Sequence, residues 1–377
     1  MLEILLFSSF FPLVKILVYP LHYLLIPLIT PIFIFKLKFS KKYFYNYEIF
    51  FFIFFIFSTM RSIFSKYFNS SLTLIIGFII CIFWYLYFYY CLKKSNSNKI
   101  NKIIKIICII FIISSLLLFF TDVGKIKDRG LYRLIGTFSD PNLFCLIGIF
   151  PIGYYFYDHK IIIKKFIFYT SLLIFFMSLS RGGIVGLLFF LLIEVYYNKK
   201  VKIKNIFLFL FFIILLILFL SENSVFLNKL MSRFRDLDFR KITDIKKLGS
   251  GRIGIWISGI EIFKENFLFG IGLNNFPNYL LEKINLFRYS HNTFLEILIE
   301  NGIIGSIFYW LFLISFILNK PKNEKARIIK SIIYSQLIMS FLLTSLLSIQ
   351  VFFTFALYKY FNKITFKLKE TEIYREK

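Results

Sequence analysis

Long apolar runs alternate with short clusters rich in lysine along most of this chain. An apolar run of about 18 residues or more suits a helix that crosses a bilayer, because a helix satisfies its backbone hydrogen bonds internally where water is absent. Ile203 to Leu220 and Asn292 to Leu318 are two such runs. A β-barrel would need segments of about ten residues in strict alternation. Stretches such as IFLFLFFIILLILFL do not alternate, so the pattern predicts helices.

The lysine clusters set the order of these helices, since short basic loops stay on the cytoplasmic side. The candidates are Lys36 to Lys42, Lys93 to Lys105, His159 to Lys165, Asn198 to Lys204, Lys320 to Lys330 and the tail from Lys363. If all share one side, an even number of helices separates each neighbouring pair. Segments near 46–61 and 71–92 fill the first gap, and 103–120 and 137–157 the second. Segments near 162–179 and 183–197, 203–220 and 292–318, and 328–345 and 347–362 fill the rest. The first 35 residues form two short or Pro-bent segments broken around Pro20 and Leu21, or one helix plus an interfacial piece. The expected fold is all-α. It is a polytopic membrane bundle of about twelve transmembrane helices, a single membrane domain over 1–377, with both termini cytoplasmic.

The connections left over must then face outward. They are the turn near 61–71, the segment 121–133, the tight turn 178–183, the long stretch 221–291 and a turn near Ser345. The stretch 221–291 is the candidate extracytoplasmic loop, and its basic residues do not oppose this, because long loops translocate largely regardless of charge. Within it, 250–265 has helical periodicity that puts Ile253, Trp256, Ile257, Ile260 and Phe263 on one face. This predicts an amphipathic helix lying on the outer membrane surface or on the bundle. Gly270-Ile271-Gly272 reads as a stop and turn.

Composition agrees. The chain is 58% hydrophobic and 21% aromatic, more apolar surface than a water-soluble protein of 377 residues can hide. Its net charge of +26 lies in short clusters between apolar runs, the distribution of a positive-inside bias rather than of a nucleic-acid surface. The N-terminus lacks a basic leader and carries Glu3, so it reads as a first membrane segment rather than a cleavable signal. The four cysteines, Cys81, Cys91, Cys108 and Cys145, lie in or at the edge of apolar segments, lack zinc-type spacing and suggest packing residues.

Four polar stretches stand out: RLIGTFSDPN over 133–142, SLSRGG over 178–183, GSGRIGIWISGIEIFKENFLFGIG over 249–272 and SHNTFLEILIENGIIG over 290–305. The topology drawn from lysines and apolar runs places the polar ends of all four on the outer face. Each also has a plain structural reading. Arg133 could snorkel to the interface, and Asp140-Pro141-Asn142 could cap the next helix. Arg181 could be a turn residue, and His291 the neighbour of a helix cap. Taken together, the residues suit phosphate chemistry. Arginine presents a fixed fork of donors to phosphate and stays charged. Histidine can take a proton from an attacking hydroxyl near neutral pH. No His, Cys and carboxylate spacing suggests a metal, and no phosphate-binding GxxxxGK[ST] loop suggests a nucleotide, so neither metal nor cofactor is expected.

These stretches, in this order, resemble the O-antigen ligase/polymerase family of bacterial membrane glycosyltransferases. The resemblance covers roughly 130–310. Its most specific parts are the Arg-led amphipathic segment with its GxG, and the His-Asn that opens a helix with a later Gly-x-x-Gly. Members often carry proline before the GxG, where this chain has Phe267. The resemblance implies a metal-independent, GT-C-like transferase in the cytoplasmic (inner) membrane with its active site on the extracytoplasmic face. Its donor would be a glycan on undecaprenyl diphosphate. The acceptor would be a lipid A-core sugar for a ligase, or a growing glycan for a polymerase. Carried over by residue, Arg133, Arg181 and Arg252 would hold the diphosphate and His291 would activate the acceptor hydroxyl. Asn292 would support it, with weaker roles for Asp140 and Asn142. A transporter or flippase of lipid-linked glycan is the alternative from another class. It would need polar residues near the bilayer midplane, where this chain has almost none. A purely scaffolding membrane protein would leave the Arg/His set without a purpose.

Overall fold

A computed structural model of the chain describes residues 15–16, 19–20, 44–128, 131–138, 140–157, 161–197, 252–343 and 348–373. Residues 15–16 (β1) pair antiparallel with 19–20 (β2). The rest is helical apart from one hairpin. The helices among the described residues are α1 Asn46–Ile63, α2 Phe68–Lys94, α3 Ser97–Phe119, α4 Pro141–Tyr154, α5 Ile162–Met177 and α6 Arg181–Tyr197. They continue with α7 Arg252–Glu265, α8 Phe276–Ile284, α9 Thr293–Leu318, α10 Glu324–Met339 and α11 Ile349–Ile373. Four of them, α1, α2, α3 and α9, are long and apolar enough to cross a membrane. The expected first 35 residues and the run at 203–220 lie outside the described residues, apart from the β1–β2 pair.

Sequence-local caps set the helix starts. The side chains of Asn96, Asp140, Asn292 and Asn323 each accept a hydrogen bond from a backbone N–H in the first turn they precede. Aromatic packing then fixes the pairs. α1 and α9 run antiparallel, with Phe54 against Tyr309 and Tyr47 against Phe316. α2 runs beside α11, with Phe88 edge-on to Phe353. α10 lies between α6 and α4, where Ser335 Oγ donates to Gly186 O at 2.6 Å and Gln336 Nε2 to Leu146 O at 3.0 Å.

The two ends of the bundle differ. At the lysine-rich end, Lys359 pairs with Glu48 at 2.6 Å, and Arg327 with Glu194 at 2.5 Å. The described parts of all four polar stretches meet at the opposite end. Two elements there were not foreseen. Residues 125–128 (β3) and 131–134 (β4) form a hairpin within the segment expected to be a plain loop. α8, with proline in its first turn and left-handed Asn285 after its end, was also missed.

The helix expected over 250–265 forms over Arg252–Glu265, and its apolar face is divided: Trp256 and Phe263 pack on protein and other members do not. Ile255, Ser258, Gly259 and Ile262 turn inward, while Ile257 and Ile260 are exposed. Small residues at 258 and 259 bring α7 close to α9. A Cβ on Gly259 would lie 2.8 Å from Ile299 Cδ1. With Ile271, Phe276, Leu280 and Ile299, this face closes a small apolar core separate from that of the bundle.

Candidate functional site

Each of the four stretches enters the site through a cap or a tight turn. Asp140 Oδ1 accepts from Asn142 N at 2.7 Å and Leu143 N at 3.2 Å, with Pro141 as the first helical residue. The capping reading of Asp140 therefore holds. The side chain of Asn142 does something else: its Oδ1 accepts from Ser180 Oγ at 2.6 Å. Ser180 Oγ in turn accepts from Gly183 N at 3.0 Å, which opens α6 on Arg181. Gly183 is needed for close approach, since a Cβ there would fall 2.5 Å from Cys145 Sγ. Arg133, on β4, reaches this turn from the hairpin. Its Nε donates to Ser178 O at 3.0 Å and one Nη to Leu179 O at 3.5 Å.

Arg252 and His291 are tied to a different turn, 340–343, which follows α10. Arg252 Nη1 donates to Leu342 O at 3.3 Å. Thr293 donates from N to Ser340 O at 2.9 Å and from Oγ1 to Leu343 O at 2.7 Å. Leu342 also lies against Gly182, beside Arg181. One turn thus joins the starts of α6, α7 and α9.

His291 itself is held from both sides. Ser290 donates from N and Oγ to Glu296 Oε1 at 2.8 and 2.9 Å, and its carbonyl accepts from Trp256 Nε1 at 2.9 Å. Asn292 Oδ1 accepts from Phe294 N and Leu295 N, both at 3.1 Å. His291 has φ +53°, a left-handed backbone that side-chain-bearing residues seldom adopt and that such sites often retain.

The charges converge. Arg252 lies within electrostatic reach of Arg181, Asp140, Arg133 and Arg288, and His291 within reach of Arg252, Asp140 and Arg288. Burial first, then Arg252 and Arg288, hold the His291 imidazole below its ordinary value, with Asp140 opposing. Burial and the neighbouring arginines also lower Arg252. The structure therefore brings together Arg133, Arg181, Arg252, His291 and Asp140, with Asn142 and Asn292 in supporting backbone positions. Three contributors were missed. Arg288 stands three residues before His291 in the same stretch, so the signal was present. Trp256 was assigned only to an apolar face. Arg61 donates from Nε and Nη2 to Gly270 O at 3.0 and 2.8 Å and fixes the GxG turn. Among the described residues, no three His, Cys, Asp or Glu side chains gather to hold a metal ion.

Residues 166–310 match the family model described as O-antigen ligase. Over these residues the chain is similar to the O-antigen ligase family. The match begins within α5 and ends within α9, so it takes in Arg181, Arg252, Arg288, His291 and Asn292. Arg133, Asp140 and Asn142 precede it. No curated protein matches the chain. With four helices long and apolar enough to cross a membrane and the family match, the chain is a multi-pass membrane protein.

Proposed function

We propose that the chain transfers a glycan from undecaprenyl diphosphate to an acceptor sugar on the outer face of the cytoplasmic membrane. Joining it to a lipid A-core, as a ligase does, is the first reading; adding it to a growing glycan, as a polymerase does, is the second. One observation carries the proposal: Arg133, Arg181, Arg252 and His291 arrive from separate elements at one end of the bundle, beside Arg288. In the proposed step the acceptor hydroxyl oxygen attacks the anomeric carbon, and its proton passes to His291. The bond from that carbon to the diphosphate oxygen breaks, and undecaprenyl diphosphate leaves with the electron pair. Arginines placed where charge develops on the leaving group stabilise the transition state. Depression of the His291 pKa favours the neutral imidazole a base requires. Attack opposite the leaving group predicts inversion. A narrow apolar crevice lined by Phe51, Tyr309, Phe312 and Phe355 passes beside Thr293 and Ser340, which suits a hydrocarbon chain near the site.

The test is glycan transfer by full-length protein in liposomes with a lipid-linked donor. His291→Ala and Arg252→Ala should remain folded in the membrane and make no new glycosidic product. Wild-type product from both variants would refute the assigned roles. Movement of the donor without a new product would favour the transporter alternative. In cells, loss of all anchored polymer on deletion marks a ligase, and a single attached repeat marks a polymerase.

A further inference from the structure

The α7–α8 turn carries a second basic site that the proposed reaction does not use. After α7 the chain runs Asn266-Phe267-Leu268-Phe269-Gly270, and the three apolar residues point outward, Leu268 54% and Phe269 53% exposed. Their depth is set by Arg61, in the last turn of α1, whose side chain bonds both Gly270 O and Phe64 O. α1 is a membrane-span candidate, and Met60, Ile63 and Phe64 at its end are exposed too, Phe64 by 81%. A spanning helix marks the edge of the bilayer where it ends, so Phe267 to Phe269 sit at that edge rather than in open water.

Between these apolar walls lies an open groove of about 550 Å³ with Arg61 and Lys264 on its lining. Among the described residues neither cation has a carboxylate within ion-pair distance. Arg61 is bonded only to carbonyls, and Glu265, which also lines the groove, is held by Lys283 at 2.7 Å. Two uncompensated cations above exposed phenylalanines match an anionic headgroup above an acyl chain. Lys264 stands 12 residues beyond Arg252 along α7, roughly 18 Å at the rise of a helix, so the groove is separate from the His291 site. We infer that this groove seats a bilayer phospholipid with an anionic headgroup, its phosphate toward Lys264 and Arg61 and its chain along Phe267 and Phe269.

The test is native mass spectrometry of the full chain in detergent with equal dioleoylphosphatidylglycerol and dioleoylphosphatidylcholine. The expected result is preferential retention of phosphatidylglycerol. Lys264→Glu should reduce that retention about fivefold or more, as expected for reversing one basic residue at an anionic lipid. Its circular dichroism should be unchanged, because Lys264 is exposed. Phe267→Ser and Leu268→Ser should weaken retention of both lipids. Equal retention of the two lipids, or no response to Lys264→Glu, overturns the inference. So does displacement by millimolar inorganic phosphate alone, which would mark a free-anion site. Displacement by undecaprenyl phosphate at equal concentration, sensitive to Lys264→Glu, also overturns it and assigns the groove to the glycan donor.

Discussion

Gly302 is a position where one methyl group should be costly. α9 is a helix broken at this residue, with φ +60° and ψ −169°, a conformation open essentially to glycine alone. The break frees backbone groups on both sides, and the α7–α8 turn takes them up. Ile271 N and Gly272 N donate to Ile299 O and Glu300 O at 3.2 and 2.8 Å. Ile303 N and Ile304 N donate to Phe267 O and Leu268 O at 2.9 and 3.2 Å. A Cβ on Gly302 would lie 2.4 Å from Leu268 O and 2.5 Å from Gly270 N, both backbone atoms that cannot rotate away. Staying in place costs about 1–3 kcal/mol of backbone strain before the overlap is counted. Moving away surrenders four hydrogen bonds at about 0.5–1.5 kcal/mol each. Either route makes Gly302→Ala destabilising by about 3 kcal/mol or more, a large share of the roughly 5–15 kcal/mol that holds a typical domain folded. Thermal unfolding of the full chain in detergent, followed by tryptophan fluorescence, should show a midpoint lower by several degrees. Limited proteolysis should open the chain near 266–272. An unchanged midpoint with an unchanged cleavage pattern would refute the interlock.

The remaining expectations concern charge. Arg252→Gln removes a positive neighbour that depresses the His291 pKa, so the imidazole should gain its proton at higher pH. If His291 is the base, activity is lost as pH falls through its pKa, the acid limb of the pH–rate profile; in Arg252→Gln the imidazole titration itself, followed by NMR, should move up, and an unmoved titration would separate the two residues. Asp140→Asn keeps the cap and should leave stability within a few tenths of a kcal/mol, while Asp140→Ala should lose about 1 kcal/mol in thermal melts. The Asn variant should also lower the His291 pKa further, visible as an acid limb moved down, because Asp140 opposes the depression. Glu48→Gln leaves Lys359 buried beside Tyr85 and Tyr89 without its carboxylate and should cost about 3–5 kcal/mol. Adding Lys359→Met to it should recover much of the loss in the same melt, and a double variant no more stable than Glu48→Gln would count against the pair.

What the sequence made legible follows from where its information is written. Long apolar runs bounded by lysines gave α1 to α6 and α9 to α11, because hydrophobic length and basic flanks are local properties. The pairing of 125–128 with 131–134 was overlooked although Lys-Ile-Lys-Asp and Leu-Tyr-Arg-Leu stand two residues apart in the sequence, the spacing of a hairpin signal. The face of α7 was assigned by hydrophobicity, a rule for helices in water. At a membrane edge the apolar Ile257 and Ile260 can face outward, while Ser258 and Gly259 allow the close contact with α9. The chemical residues were found as types, because Arg and His stand out against an apolar background. What holds them together was not, because the turn 340–343 acts through the carbonyls of Ser340, Leu342 and Leu343, and carbonyls leave no mark on a sequence.

That reliance on carbonyls bears on what the site is for. Four arginines and a histidine around a single aspartate form a cluster whose charges repel one another. Buried cations of one sign are costly unless paired. Here Arg252 is steadied by the carbonyl of Leu342, which orients a guanidinium without neutralising it, and Arg133 is oriented by the carbonyls of Ser178 and Leu179. Arg288 reaches the cluster from the exposed side. If holding the fold together were the only task, carboxylates or apolar side chains would do it at lower cost. The proposed binding of a polyanion gives the cost a reason, because carbonyls that fix the direction of a guanidinium preorganise it for an incoming negative charge. A diphosphate is the compact anion that matches several forked donors at once. Burial and the same neighbouring arginines lower the His291 pKa, the direction that the proposed role of base requires.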